Sequence, residues 1–150
     1  HALALIGREH FGRQIDPGKV AAAALFHDAP EIITGDLPTP IKYYNPEIKT
    51  AYKQVERVAG ERLLNMLPPE LRASYAHDVL EDNEALAPIV KGADKLSAHI
   101  KCLEEQKAGN TEFDTAARQT WEAIQTMNRP ELDWFVEHCL GSFTLNLDQL

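Results

Sequence analysis

The sequence predicts an all-α fold, a bundle of helices, and three observations carry that expectation. Apolar residues recur at i, i+3, i+4 and i+7 along most of the chain. Capping residues stand directly before prolines at Asp16-Pro17 and Asn45-Pro46, the pairing that opens helices. No segment alternates with a period of two, so no sheet is expected. The chain of 150 residues is long enough for one sizeable core, and a single domain over 1–150 is expected.

The first helix is expected from His1 to Phe11, carrying Leu3, Leu5 and Ile6, with Gly12 where a helix stops. Asp16-Pro17 opens the next. Its run from Val20 to Phe26 is apolar and mostly alanine, which suits close approach and places it at the core centre. The segment Thr34-Gly35-Asp36-Leu37-Pro38-Thr39-Pro40 holds two prolines and a glycine in seven residues and reads as a stiff loop. Asn45-Pro46 opens a helix to about Leu67, with Tyr52, Val55, Val58, Ala59 and Leu63 at helical spacing, and Pro68-Pro69 ends it. A short helix follows around Glu70 to Tyr75. A long helix is expected from Asp82 through Leu86, Ile89, Val90, Ala93, Leu96, Ile100 and Leu103 to Gly109-Asn110, with Pro88 marking an alternative, later start. Thr111 caps a helix holding Phe113, Ala116, Ala117, Trp121, Ile124 and Met127. Pro130 opens a last one with Leu132, Trp134, Phe135 and Val136.

Composition narrows the function classes. Hydrophobic residues make up 44% and charged residues 25%, as in ordinary soluble globular proteins. The formal charge is −8, from 15 Lys and Arg against 23 Asp and Glu. That balance argues against a nucleic-acid binder, which carries a basic footprint. It does not exclude a small anionic substrate, because a bound cation inverts the local field. Cys102 and Cys139 fit no metal spacing and no disulfide framework, so a reducing cytoplasm is expected. No apolar run approaches the ~18 residues of a membrane helix, and no secretory pattern opens the chain. The first residues already read as helix and begin at His1, so a segment upstream of His1 is expected.

The chemistry concentrates in Phe26-His27-Asp28-Ala29-Pro30-Glu31 and the loop after it. His27 and Asp28 follow seven apolar residues directly. A buried imidazole and carboxylate need partners, since an unpaired buried charge costs several kcal/mol. A divalent cation satisfies both; so does a core histidine beside an Asp held by backbone amides. Adjacent helical residues project about 100° apart, so the pair reaches one ion only at a helix end, which Pro30 supplies. Asp94 lies inside the long helix among Ile89, Val90, Ala93 and Leu96. Aspartate is a poor helix former. Two readings stand for it: a surface carboxylate paired with Lys91, Lys95 or Lys101, or a third ligand in a mixed His/Asp site of the kind that suits a first-row divalent ion.

These residues resemble the HD-domain metal-dependent phosphohydrolases, and among them the bacterial 5'-deoxynucleotidases of the YfbR type. The match is carried by His27-Asp28-Ala29-Pro30-Glu31, Thr34-Gly35-Asp36-Leu37-Pro38-Thr39-Pro40, Ala93-Asp94, Lys101-Cys102-Leu103-Glu104-Glu105 and the tail with Ser142-Phe143 and Leu147-Asp148. The resemblance runs through the whole chain. It implies an HD-domain helical bundle around a buried site holding one divalent transition metal, such as Co2+ or Mn2+. His27, Asp28 and Asp94 match metal ligands. Glu31 matches an acidic residue that handles the attacking water, with Asp28 beside it as a catalytic group. Asp36, Leu37, Pro38 and Thr39 match a loop that contacts the nucleotide, and Asp28 and Asp94 match positions near the substrate.

The family's first metal His, and an Arg and Trp for phosphate binding and deoxyribose selection, lie in an upstream segment that nothing here matches. His1 falls after that position and is not assigned as a ligand. His10, His77, His99 and His138 read as surface or satisfied core residues, Trp121 and Trp134 as core or dimer contacts ahead of base stacking, and Tyr43-Tyr44 as loop packing ahead of a base-pocket lining.

The function implied is hydrolysis of (2'-deoxy)nucleoside 5'-monophosphates to nucleoside and phosphate, by a cytoplasmic homodimer acting on a small molecule, without nucleic acid or membrane. Another HD-type hydrolase competes with it. Alarmone-hydrolysing members favour His-Asp-x-x-Glu-Asp, and here Ile32 follows Glu31; phosphodiesterase members place Gly-His soon after His-Asp, and here Ala29-Pro30 stands instead. A triphosphohydrolase needs more basic residues than this acidic chain carries. The competitor from another class is a non-catalytic helical module for nucleotide sensing or dimerisation.

Overall fold

The computed structural model describes residues 1–37, 45–80 and 84–149. Among these the regular structure is helical, with no strand. In chain order the helices are α1 (Ala2–Glu9), α2 (Pro17–Phe26), α3 (Glu31–Thr34), α4 (Pro46–Asn65), α5 (Pro69–Val79), α6 (Ala87–Lys107), α7 (Asp114–Thr126) and α8 (Pro130–His138). Short 3-10 turns occupy Thr111–Phe113, Leu140–Thr144 and Leu147–Gln149. The chain forms two compact units, His1–Ala21 with Leu86–Leu150 and Ala22–Ala85, and the boundary falls inside α2.

In the first unit α6 is the spine, and α1, α7, α8 and the Leu140–Thr144 turn pack on it. Its buried stripe is Ile89, Val90, Gly92, Leu96, His99 and Cys102. The helix starts at Ala87, and residues 84–86 form a turn, so the expected start at Asp82 does not hold; Asp82 itself lies outside the described residues. Pro88 is the reason. It lacks an amide proton and is tolerated only in a first helical turn. Leu3 and Ala4 of α1, Ala117 and Ile124 of α7, Leu132 of α8 and Leu140 complete the core. Asn110, not Thr111, caps the next segment, its Oδ1 accepting from the Glu112 amide at 3.2 Å.

The first helix ends before Phe11. The amides of His10 and Phe11 both return to the Ile6 carbonyl, at 2.9 and 3.3 Å, which closes the helix. Gly12 follows with φ +64°, a left-handed conformation that suits glycine. Asp16 then caps α2 as expected, its Oδ1 accepting from Gly18 and Lys19 amides at 2.8 and 3.3 Å. The α2 run is not a core centre. Val20 is fully buried, Ala21 to Ala24 are half-buried, and Leu25 is 76% exposed. A helix apolar all round carries no periodicity to fix its inward face. Trp121 and Trp134 are half-buried packing residues, Trp134 stacking on His138 at 4.2 Å. Both cysteines are free. Among the described residues no helix is long and apolar enough to cross a membrane.

The second unit is built on α4, against which α3 and α5 pack. Asn45 caps α4 as expected, its Oδ1 accepting from the Glu47 amide at 2.8 Å. The inward face differs from the expected one: Val55 and Val58 are 52% and 65% exposed, while Ala59, Gly60 and Leu64 are buried. Close approach selects small residues. A Cβ on Gly60 would lie 2.9 Å from Leu80 Cδ2 and 3.5 Å from Pro30 Cγ, so the bare backbone lets Pro30 and the end of α5 settle on α4. The helix at Pro69–Val79 is longer than the expected Glu70 to Tyr75. Phe26 meets Tyr75 edge-on at 5.5 Å.

Candidate metal and phosphate site

The site begins where α2 stops. After Phe26 the chain turns through residues 27–30, with the Ala29 amide on the Phe26 carbonyl at 2.9 Å and the Glu31 amide on the Asp28 carbonyl at 2.9 Å. His27 and Asp28 therefore sit at a helix end, as adjacent ligands require. His27 Nδ1 lies 2.7 Å from the Ala24 carbonyl. A carbonyl only accepts, so Nδ1 carries the proton, and in the neutral ring Nε2 presents its lone pair. That Nε2 faces Asp28 Oδ2 at 3.1 Å.

Two electron-rich atoms at that separation are brought together by a proton on the ring or by a cation between them. The donor set passes the chemical test for a divalent ion: a neutral imidazole oriented through its other nitrogen, beside a carboxylate. The setting is less enclosed than expected, since the Asp28 side chain is 57% exposed and only His27, at 25%, is largely covered.

Glu31 opens α3, half-buried, and its amide bond to Asp28 ties the two residues through the backbone. Thr34 belongs to α3, so the loop begins at Gly35, one residue later than expected. Gly35 has φ +69° and ψ 167°, a region open essentially to glycine alone. Asp36 is exposed and Leu37 half-buried. Pro38, Thr39, Pro40, Tyr43 and Tyr44 lie outside the described residues.

Asp94 belongs to the first unit and His27, Asp28 and Glu31 to the second. The apolar setting expected for Asp94 is not found: it is exposed on α6. Two residues from both Gly92 and Leu96, it stands about 200° around the helix from each, though one turn on from buried Val90. Burial therefore gives no argument for a cation at Asp94, and its ligand role rests on the motif. Of its expected lysine partners, Lys101 pairs with Glu105. Among the described residues no group of three or more His, Cys, Asp or Glu that could hold a metal ion is found.

Of the other histidines, His99 is buried and accounted for, with Nδ1 3.0 Å from Thr120 Oγ1. Burial pushes its pKa below the ordinary imidazole value, partly offset by a hydrogen bond to the Ala117 backbone. Sequence reasoning missed one residue beside the loop. Tyr52, read as a core position on α4, reaches Thr34 Oγ1 at 3.3 Å and the Gly35 carbonyl with its hydroxyl. A contact between residues 17 and 18 positions apart leaves no local signal in the sequence.

A family model described as 5'-deoxynucleotidase YfbR-like matches residues 1–143. A 5'-deoxynucleotidase of Erwinia tasmaniensis is 46% identical over 152 positions, covering 100% of this chain and 77% of its own length. A 5'-deoxynucleotidase of Shewanella oneidensis is 43% identical, covering 100% and 78%. One from Vibrio parahaemolyticus is 44% identical with the same coverage.

Proposed function

The chain belongs to the YfbR-like 5'-deoxynucleotidase family, phosphoric monoester hydrolases, and on that premise we propose that it releases phosphate from 2'-deoxynucleoside 5'-monophosphates at a site built from His27, Asp28, Glu31 and Asp94. The observation that carries the site is the His27 ring, held by the Ala24 carbonyl with Nε2 turned to Asp28 Oδ2 at 3.1 Å.

His27, Asp28 and Asp94 hold one divalent transition metal, Co2+ or Mn2+ in chemical type. Such an ion supplies positive charge to offset the phosphate dianion and acidifies water near it. Asp28 does double duty, as ligand and as a group beside the reacting phosphate. Glu31 orients the attacking water and takes its proton, or gives one to the leaving 5'-oxygen. Asp36 and Thr39 hydrogen-bond the nucleotide, with Leu37 and Pro38 in the same loop and Asp94 near the substrate. The products are the nucleoside and inorganic phosphate.

The enzyme works in the cytoplasm as a homodimer. The free cysteines suit a reducing compartment. Ile48, Val55 and Val58 stand exposed on α4 at seven- and three-residue spacing, an apolar stripe of the kind a partner helix covers.

The test is phosphate release from dAMP and dTMP by Co2+- or Mn2+-loaded protein, with bound metal measured in parallel. Glu31→Ala should keep its metal and lose turnover by about 10²–10⁴-fold. A folded, metal-loaded chain that binds nucleotides yet releases no phosphate would instead mark a sensing module.

A further inference from the structure

We infer that Tyr52 is a positioning residue for this reaction, holding through its hydroxyl the peptide that delivers Asp36 to the nucleotide. The inference rests on the reading above that Asp36 and Leu37 contact the substrate.

Three oxygens meet at the end of α3. The Tyr52 hydroxyl lies 3.3 Å from Thr34 Oγ1 and also contacts the Gly35 carbonyl. Thr34 Oγ1 lies 2.9 Å from that same carbonyl and 3.4 Å from the Pro30 carbonyl. Each hydroxyl has one proton to give. Tyr52 can donate to the Gly35 carbonyl directly or to Thr34, and Thr34 to the Gly35 or the Pro30 carbonyl. In three of the four combinations the Gly35 carbonyl receives a hydroxyl proton, and with the phenol donating directly it does so whichever way Thr34 turns.

That carbonyl is half of the Gly35–Asp36 peptide. A peptide is planar, so fixing the carbonyl direction fixes the Asp36 amide and the path into Leu37. The anchor is needed because Gly35 is unusually free: at φ +69° and ψ 167° no side chain restricts it, and a Cβ there would meet nothing within 4 Å. The Gly35 amide is held by the Glu31 carbonyl at 2.8 Å. Tyr52 comes from α4, a twenty-residue helix packed on α3, so the loop borrows its direction from a long, rigid element. Loop contacts to a bound nucleotide form in ground and transition states alike, so losing their alignment raises KM and leaves kcat in place.

The test compares wild type with Tyr52→Phe, which removes one oxygen and keeps the ring. KM for dAMP should rise about tenfold, the worth of one well-placed hydrogen bond, with kcat within about twofold. Amide exchange over residues 34–37 should quicken, while the melting temperature and metal content stay unchanged. Thr34→Val should give the same split, and the double variant should be no worse than either single one, because both act on one network. An unchanged KM, unchanged exchange, or a lower kcat with a lower melting temperature would each overturn the inference, the last by marking a merely structural role. A wild-type chain that releases no phosphate overturns the functional reading and this inference with it. A wild-type chain that turns over while Tyr52→Phe matches it overturns this inference alone.

Discussion

Removing Arg13 should destabilise the protein far more than removing its partner, although both changes break the same pair. Glu131 is 1% exposed, and both its oxygens face Arg13, Nη1 on Oε1 and Nη2 on Oε2, each at 3.3 Å. At that separation and an effective dielectric of about 20, the attraction is about 5 kcal/mol before desolvation is counted. The Arg13 side chain is 34% exposed, so water already screens part of it. Arg13→Ala leaves a carboxylate buried and unpaired, a change that typically costs about 3–5 kcal/mol. Glu131 is the second residue of α8, after Pro130, and the positive end of the helix returns up to about 2 kcal/mol of that. The expected loss is therefore about 1–5 kcal/mol. Glu131→Leu leaves only a guanidinium that can turn to solvent, and leucine fills a similar volume; its cost should be under about 1 kcal/mol. Urea unfolding at neutral pH, followed by tryptophan fluorescence, measures both. Adding Glu131→Leu to Arg13→Ala should restore most of the loss. Equal costs for the two single variants, or a loss below about 0.5 kcal/mol for Arg13→Ala, would show that α8 amides rather than Arg13 balance the carboxylate.

Gly35→Ala places a side chain in a region where strain costs about 1–3 kcal/mol, and since no atom lies within 4 Å of the new Cβ the cost is backbone strain alone. That matches the worth of the few hydrogen bonds that hold the turn, so KM for dAMP should rise several-fold; wild-type kinetics would count against the φ observed there. His99 sets a pH dependence. Its folded pKa is lowered by burial from 6.5, so the unfolded chain takes up the proton first, and stability falls as pH drops below about 6.5 toward the folded value. Melting temperatures taken from neutral pH downward should decline in wild type and decline less in His99→Gln; parallel curves would refute this.

Helix starts were legible because caps are local. Asp16 and Asn45 each bond amides two or three residues ahead, and that information lies within one turn of chain. The faces of α2 and α4 were not. Alanine runs have no periodicity, and in α4 the helix turns Ala59 and Gly60 inward while Val55 and Val58 stay out, because Pro30 and Leu80 need the room more than the core needs the valines. Hydropathy ranks those residues the other way. The exposure of Asp94 was not legible for a different reason. Its apolar neighbours in sequence lie on both sides of α6: Gly92, Leu96 and His99 are across the helix from Asp94, while Val90 is one turn before it.

The adjacent His-Asp pair was legible for a reason the structure makes physical. The last carbonyls of a helix have no following amide to accept from, and Ala24 lies in the last turn of α2. An imidazole placed three residues later can give Nδ1–H to that carbonyl, as His27 does at 2.7 Å. One bond then does two things: it satisfies a helix end and fixes the tautomer, so Nε2 is left to act toward Asp28. Moved one turn earlier, into the middle of α2, the same dipeptide would find its carbonyls taken and its side chains splayed about 100° apart. Pro30, which cannot continue α2 and settles over Gly60, is thus as much a part of the proposed site as the proposed ligands. Pro30→Ala, by allowing α2 to extend through residues 27–30, should weaken metal binding without touching a ligand, and metal retained at wild-type affinity in that variant would break the link between helix termination and ligand geometry.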